Sequence, residues 1–249
     1  MDKHFQYVLR MGDNALILGQ RMSEWCGHSP ILEEDIAMAN CALDHVGRAR
    51  MLLTHAGELE QKGRTEDDLA FLRDEREFRN FLLCELPIGD YAFTMVRQYL
   101  LDTYHFHLFT ELQSSSDSVL AAIAAKAIKE TTYHARRSGD WIVKLGDGSK
   151  ESYTRTQNAL DEIWAYTSEF FVEDDIDEYA CVKEIGPNVQ SLRAAWEADV
   201  LEKIALAKLS VPKEVWPLGG GREGVHTESM GILLSEMQFL QRSYPGLNW

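Results

Sequence analysis

The six prolines of this chain divide it into long proline-free stretches. A proline inside an α-helix removes a backbone hydrogen bond and clashes with the preceding turn, whereas the connections between helices accept it. Between the prolines, Ala, Leu, Glu, Lys, Arg and Met dominate and runs of β-branched residues are nearly absent, as is typical of helices. The prolines therefore mark connections. They stand at Pro30, Pro87, Pro187, Pro212, Pro217 and Pro245.

The stretches between these breaks predict a series of long helices with mostly short connections. Asp90 and Asp117 each precede a helical stretch and are expected to cap it. The pattern predicts an all-α, ferritin-like up-and-down bundle, a single domain over residues 1–249 with extra C-terminal helices. The predicted helices cover about residues 6–25, 31–61, 66–83, 91–109, 118–145, 150–171, 189–209 and 227–242.

Two segments between the predicted helices differ from ordinary connections. The segment 211–225 contains Gly219-Gly220-Gly221 and looks too long to be a mere connector, so we expect a loop that contacts a partner. The acidic stretch 173–178 lacks the spacing and the glycine of an EF-hand calcium loop. We expect a solvated helix end there.

The charge of the chain argues against several classes of partner. With 40 acidic and 25 basic residues its formal net charge is −15, which repels nucleic acids and anionic membranes. No uncharged apolar run approaches the roughly 20 residues of a membrane helix, and Met1–Phe5 lacks the features of a signal peptide. The four cysteines form no C-x-x-C pair, which favours reduced thiols over zinc binding or a disulfide framework. We therefore expect a cytoplasmic protein without nucleic-acid or membrane partners.

Chemistry in a helical bundle is usually built between the helices, and a di-iron centre is the best-known case. It takes a carboxylate from each of two helices and a Glu-x-x-His step from each of the other two. Asp102-Thr103-Tyr104-His105 has this spacing with Asp in place of Glu, and Glu130 precedes His134 by four residues. For such a single short match, an Asp that bonds a neighbouring helix residue and a His at a polar core position are the favoured interpretation over a metal site.

The second predicted helix carries unsuitable side chains for a metal site. In Asp44-His45-Val46-Gly47-Arg48, the residue three positions after Asp44 is glycine and the residue three positions after His45 is arginine. A cation here opposes a metal ion but pairs well with leftover carboxylates. We therefore expect no metal or cofactor in this chain and a buried ionic network instead. The residues assigned to this network are Asp44, His105, Lys126, Lys129 and Glu130.

Two other interpretations stay open from the residues alone. One is an independent ferritin-like metal-binding protein or metalloenzyme that uses Asp102, His105, Glu130 and His134. The other is a homodimeric helical binding protein. P-loop, dinucleotide-binding and nucleophile-elbow motifs are absent from the sequence.

Long segments spread over nearly the whole chain match one family in register. They are Leu9-Arg10-Met11-Gly12-Asp13-Asn14, Glu24-Trp25-Cys26-Gly27-His28, Ala125-Lys126-Ala127-Ile128-Lys129-Glu130, Tyr133-His134, Leu192-Arg193-Ala194-Ala195-Trp196-Glu197-Ala198, His226-Thr227-Glu228 and Glu236-Met237-Gln238-Phe239-Leu240-Gln241-Arg242. At these segments the chain resembles the C subunits of bacterial phenylacetyl-CoA epoxidases, the multicomponent oxygenases of phenylacetate degradation. The resemblance implies a ferritin-like fold and a non-catalytic role beside the catalytic A subunits, related bundles that hold the di-iron centre and the CoA thioester. Other oxygenase components are possible further partners.

The resemblance also implies which metal ligands this chain has lost. Where the catalytic subunit has Asp-Glu-Ala-Gly-His, this chain has Asp44-His45-Val46-Gly47-Arg48, and Glu-Ser-Phe-His becomes Thr131-Thr132-Tyr133-His134. Asp102 matches a retained acidic position. The degenerate ferritin-like positions are therefore His45, Arg48, Asp102, Thr131 and His134.

Overall fold

The computed structural model describes residues 2–213 and 215–247, and these ranges contain α-helices and short 3₁₀ helices but no strand. The all-α fold predicted from the sequence is therefore confirmed. The α-helices are α1 (Lys3–Ser23), α2 (Leu32–Glu60), α3 (Glu66–Phe71), α4 (Leu82–Glu85), α5 (Tyr91–Leu112), α6 (Ser118–Gly146), α7 (Lys150–Ile163), α8 (Asp175–Val182), α9 (Arg193–Leu206), α10 (Glu228–Met237) and α11 (Phe239–Ser243). The 3₁₀ helices are Glu75–Glu77, Trp164–Phe171, Val189–Leu192 and Gly221–Glu223.

The helices form two compact units. As far as the structure describes them, unit 1 comprises Met1–Pro87 and Gly219–Trp249, and unit 2 comprises Ile88–Leu218. Unit 1 is built on the long pair α1 and α2, and unit 2 on the long pair α5 and α6 with α7 and α9 packed against it. Such long packed pairs are the building blocks of a helical bundle. That residues 1–249 fold as one ferritin-like domain stays a prediction.

The predicted caps of α5 and α6 are confirmed. The Asp90 carboxylate accepts a hydrogen bond from the backbone N–H of Phe93 at 2.9 Å. The Asp117 carboxylate accepts from Val119 at 2.9 Å and from Leu120 at 3.0 Å. The first N–H groups of a helix lack partners within the helix, and these side chains supply them.

The single helix predicted over 66–83 is wrong, because this segment contains only α3, a 3₁₀ helix and the start of α4. Buried polar side chains of α1 take its backbone N–H groups. The Asp13 carboxylate accepts from Arg79 at 2.8 Å, and the Asn14 side-chain oxygen accepts from Phe81 at 2.7 Å. An N–H group that bonds to another helix is not available to its own, so these tertiary contacts override the local helix propensity.

The predicted helices over 150–171 and 189–209 each contain a 3₁₀ portion, at the end of the first and at the start of the second. Aromatic packing accompanies this tighter winding. The rings of Phe170 and Phe171 lie edge-on to Trp196, with centroids 6.0 and 5.4 Å away. Such aromatic pairs contribute beyond the area that they bury.

The last predicted helix, over 227–242, divides at Gln238 into α10 and α11. The Gln238 side chain is buried and its amide donates to the carbonyls of Ala70 at 3.1 Å and Arg73 at 3.0 Å. These bonds hold the C-terminal helices against the α3 region of unit 1.

The acidic stretch 173–178 is a helix end, as predicted, but it is not fully solvated. Asp174 caps α8 by accepting from the N–H groups of Ile176 and Asp177, and the Asp177 carboxylate accepts from the N–H of Asp174 at 3.2 Å. Asp177 itself is only 2% exposed. The charges of this stretch serve helix capping in a reciprocal capping box.

The glycine run 219–221 lies against its own unit at Gly221. A Cβ at Gly221 would lie 2.1 Å from the carbonyl oxygen of Asn80, so a side chain does not fit. Gly220 and Gly224 on either side have φ of 131° and 79°, a region that favours glycine. That the segment also contacts a partner stays a prediction.

Candidate functional site

The degenerate ferritin-like positions on α2 are buried. His45 and Arg48 are almost inaccessible to solvent, whereas Asp44 is half-buried. Three residues along a helix return to the same face, so the imidazole and the guanidinium share one buried face of α2. Arg48 therefore lies in the core.

On α5 and α6, a buried hydroxyl connects the expected acid and histidine positions. Ser138 Oγ lies 3.1 Å from Asp102 Oδ2 and 2.8 Å from the His134 carbonyl oxygen, and it can donate to either acceptor. A carboxylate oxygen of Asp102 and a ring nitrogen of His134 lie within 4.8 Å of each other. This spacing suits either a polar pair or two ligands of one ion.

Thr131 occupies the position where the resemblance implies an acid in the catalytic subunit. Its side chain is buried, and its hydroxyl donates to the carbonyl of Ala127 one turn earlier on α6. This back-bond is a common use of threonine within helices. The hydroxyl thus serves the helix backbone.

The predicted ionic network needs correction at its two lysines. Lys126 and Lys129 are exposed, so they lie outside the core, and Glu130 is half-buried. His105 is buried, with its ring 5.9 Å from that of Phe109. The helical period shows which α6 residues share a face, but it does not show which face turns inward.

The side chains at the compared positions do not fit a di-iron centre. Such a centre takes about six ligands, four of them acidic. On α2 the pair is His45 and Arg48, and a guanidinium has no lone pair to offer a metal. On α6 the pair is Thr131 and His134. Among these compared positions, Asp102 is the one acid that is retained. One acid is fewer than the four that a di-iron centre takes, so we assign no iron chemistry to these residues.

A buried ion pair that local sequence patterns did not predict lies in unit 1. Arg73 Nη1 donates to Asp13 Oδ2 at 3.0 Å, and Arg73 Nη2 donates to Asp13 Oδ1 in a second, shorter bond. Both side chains are almost inaccessible, and the guanidinium also lies 4.1 Å from the centre of the Phe78 ring. The signal that could have found it is the run of polar residues within α1, a helix buried on all sides over residues 5–19.

A second buried polar cluster joins α4 to the C-terminal segment of unit 1. Glu85 Oε2 lies 2.7 Å from His226 Nδ1 and accepts from Asn80 Nδ2 at 2.9 Å. Glu85 Oε1 accepts from the backbone N–H of Thr227 at 2.6 Å. The other ring nitrogen of His226 faces the Phe78 carbonyl at 3.2 Å. Both nitrogens thus face acceptors, which only the protonated imidazolium satisfies.

The pKa of His226 reflects two opposed effects. Burial by itself lowers the pKa, since it disfavours the charged form. The hydrogen bond and negative charge of Glu85, with the bond to the Phe78 carbonyl, outweigh burial and raise the pKa of His226 above its ordinary value of 6.5. These contacts therefore favour the charged form of the ring.

Comparison with known proteins assigns the family. A family model described as phenylacetic acid catabolic protein matches residues 1–249. The chain belongs to this family. The protein of Escherichia coli (strain K12) that is named as the C subunit of 1,2-phenylacetyl-CoA epoxidase is 49% identical over 249 residues, which is 100% of this chain and 100% of that protein. The resemblance derived from the sequence segments is thus confirmed.

In this member of the phenylacetic acid catabolic protein family, two of the resembling segments hold the buried clusters of unit 1. Asp13 and Asn14 lie in the segment 9–14, and His226 opens the segment 226–228. Their hydrogen bonds tie α1 and the C-terminal segment to residues 73–86, so these segments have a clear structural role.

Within the described residues, no helix combines the length and the apolar composition needed to cross a bilayer.

Proposed function

We propose that this chain is the non-catalytic partner subunit of a multicomponent di-iron monooxygenase that epoxidises the aromatic ring of phenylacetyl-CoA in phenylacetate catabolism. The full-length identity of 49% to a protein named as the C subunit of the epoxidase supports this role. The side chains at the compared positions support a division of labour, since Arg48 and Thr131 stand where ligands are implied in the catalytic subunit. The di-iron centre then belongs to that catalytic subunit.

The single observation that carries the partner role is an exposed apolar seam on α2. Leu32, Ile36, Leu43 and Val46 are 70%, 54%, 68% and 37% exposed, respectively. Their three-, four- and seven-residue spacing places them along one side of the helix, and we call them the α2 seam. Large apolar side chains aligned in this way on a protein surface mark an interaction site. The catalytic subunit is the proposed occupant.

The chemistry available to this chain is interfacial. Burial of the α2 seam removes apolar area from water at about 25 cal/mol per Å² and so favours a lasting complex. The holoenzyme would use dioxygen, with electrons from a separate reductase. The reduced state expected for the four cysteines and the acidic composition agree with a cytoplasmic location for such a complex.

Co-expression with the catalytic subunit of the same bacterium tests the proposal. A tag on the catalytic subunit should retain this chain in near-equimolar amount. The double variant Ile36→Glu/Leu43→Glu places charges in the seam and should abolish retention. Leu201→Glu/Leu206→Glu makes the same change at two exposed positions of α9 and should leave it intact. Equal retention of both variants would contradict the proposal that the α2 seam binds the catalytic subunit. Failure of the wild type to co-purify would contradict the partner role.

A specific observation favours one competing function, an independent metal-binding protein or metalloenzyme. Asp102 and His134 lie within 4.8 Å of each other and could share an ion. The isolated chain should be reconstituted with ferrous iron under anaerobic conditions and its metal content measured. We expect little retained iron, and near-stoichiometric iron that is lost in His134→Ala would favour the metalloprotein.

A further inference from the structure

One glycine of α2 occupies a position where the helix itself gains nothing from it. Gly47 lies in the interior of α2, and its φ is not positive. Glycine inside a helix is less favourable than alanine, because it loses more conformational freedom on folding. Neither a turn nor a left-handed conformation offsets this cost at Gly47. The glycine therefore needs another physical explanation.

The other glycines within the α-helices have such an explanation. At each of them an added Cβ would lie 3.0 Å or less from an atom of another segment of the same unit, so each marks a close approach between segments. The neighbour is a long helix at Gly12 and Gly19, which face α2, and at Gly139, which faces α5. The six glycines are Gly12, Gly19, Gly57, Gly139, Gly146 and Gly231.

Gly47 is the exception to this pattern. Among the described residues, nothing lies within 4 Å of the position that its Cβ would take. Gly47 follows Leu43 by four residues and Ile36 by eleven, so it lies on the same side of α2 as these members of the α2 seam. Leu43 and Ile36 are exposed, whereas Gly47 presents only backbone. The α2 seam thus contains a notch at Gly47.

A notch of this kind controls how closely two helices can pack. The axes of packed helices are typically about 8–10 Å apart, and the side chains at the contact set the distance. A glycine at the crossing point permits the closest approach of another backbone. Within the two units, the other helical glycines serve this purpose. At Gly47 the same purpose requires a neighbour from another molecule.

We propose that a helix of the catalytic subunit crosses α2 at Gly47 and packs directly against its backbone. This inference rests on the proposed function, and it makes Gly47 the residue that positions the partner on the α2 seam. The relative of 49% identity is named as a subunit, so a partner subunit is the expected neighbour. A second copy of this chain is a poorer occupant, because both copies would carry a net charge of −15.

The test fills the notch and measures binding and stability separately. Gly47→Ala adds one carbon, and Gly47→Leu adds a large apolar side chain. The matched control is Ala198→Leu, which places the same side chain at an exposed position inside α9. For each variant, the Kd for the purified catalytic subunit of the same bacterium is measured by titration. The urea midpoint of the isolated chain is measured in parallel.

Binding and stability should change in opposite directions. Gly47→Leu should raise the Kd at least about tenfold, because a side chain must be accommodated where two backbones meet. Gly47→Ala should raise the Kd by a smaller factor, yet the isolated variant should unfold at a higher urea concentration than the wild type. Weaker binding by a more stable chain does not arise from misfolding. Ala198→Leu should keep the Kd within about twofold of the wild-type value.

Three results would overturn the inference. One is a Gly47→Leu variant that binds the catalytic subunit as tightly as the wild type does. Another is an equal loss of affinity in Ala198→Leu. The third is an isolated chain that sediments as a dimer and is dissociated by Gly47→Leu, since the neighbour at Gly47 would then be a second copy.

The seam variant Ile36→Glu/Leu43→Glu separates this inference from the proposed function. If the seam variant loses binding but both Gly47 variants bind like the wild type, the partner uses the seam without a close contact at Gly47, and the proposed function stands. If the wild type itself does not bind the catalytic subunit, the proposed function and the close contact are both wrong.

Discussion

His226 Nδ1 lies 2.7 Å from Glu85 Oε2, although 141 residues separate the two in sequence. The contact joins the C-terminal segment of unit 1 to α4. Because the second ring nitrogen faces the Phe78 carbonyl, both ring nitrogens face acceptors and the contacts favour the imidazolium form of His226. The stability of unit 1 is therefore coupled to the protonation of one histidine.

The coupling predicts that stability falls as the pH rises. The pKa of His226 is raised in the folded protein above its ordinary value of 6.5. The stabilisation is thus fully present below about pH 6.5 and is lost as the pH rises through the higher folded pKa. Urea unfolding of the wild type should give a free energy of unfolding that falls as the pH rises above about 6.5. The free energy of unfolding of His226→Gln should not show this fall.

His28→Gln is the matched control for this pH series, because His28 is an exposed histidine of the same unit. It should follow the pH dependence of the wild type. If His226→Gln and the wild type declined in parallel, the stability of the chain would not depend on the His226–Glu85 pair.

The Asp13–Arg73 pair predicts a large loss of stability when one partner is removed. Arg73→Ala takes both guanidinium bonds from the buried Asp13 carboxylate, which keeps the bond from the Arg79 backbone N–H. Removal of one member of a buried ion pair typically costs roughly 3–5 kcal/mol. Chemical denaturation should show this loss, with Arg76→Ala at a nearby exposed position as a far milder control. Equal effects of the two substitutions would contradict the buried pair.

Local features were predictable from the sequence, whereas features that join distant segments were not. Asp90 and Asp117 cap helices that begin directly after them, so the signal and its effect are neighbours. The break in the predicted helix over 66–83 depends on Asp13 and Asn14, more than 50 residues earlier in the chain. No pattern within that helix contains this information.

The candidate site shows the same limit. The spacing of Asp102, His134 and Arg48 identified positions that are buried in the structure. The ionic network expected around these positions included Lys126 and Lys129, which are exposed and lie outside the core. Helical period assigns residues to a common face, but the packing of neighbouring elements decides which face turns inward.

Arg48 at the replaced site provides a further prediction. Its guanidinium is almost fully buried. Arg48→Ala therefore removes a buried charge, and the neighbouring buried groups lose their interaction with the guanidinium. The expected loss is roughly 3–5 kcal/mol if its buried partner is a carboxylate. Arg50→Ala, two residues later, changes a side chain that is 77% exposed and should have a much smaller effect on the thermal midpoint. A midpoint unchanged by Arg48→Ala would mean that the buried arginine does not stabilise the fold.

Gly221 and Gly47 predict effects of opposite sign for the same substitution. At Gly221 an added Cβ would lie 2.1 Å from the Asn80 carbonyl oxygen, so the loop must move away from α4. Overpacking of this kind typically costs about 1–3 kcal/mol, and Gly221→Ala should also speed proteolysis of the segment 211–227. At Gly47, within α2, an added Cβ meets nothing within 4 Å, so Gly47→Ala should raise the stability of the isolated chain by roughly 0.5–1 kcal/mol. Urea unfolding of both variants measures the change in the free energy of unfolding relative to the wild type, which should be negative for Gly221→Ala and positive for Gly47→Ala. A Gly221→Ala variant as stable and as protease-resistant as the wild type would show that the glycine is not needed for close packing against Asn80.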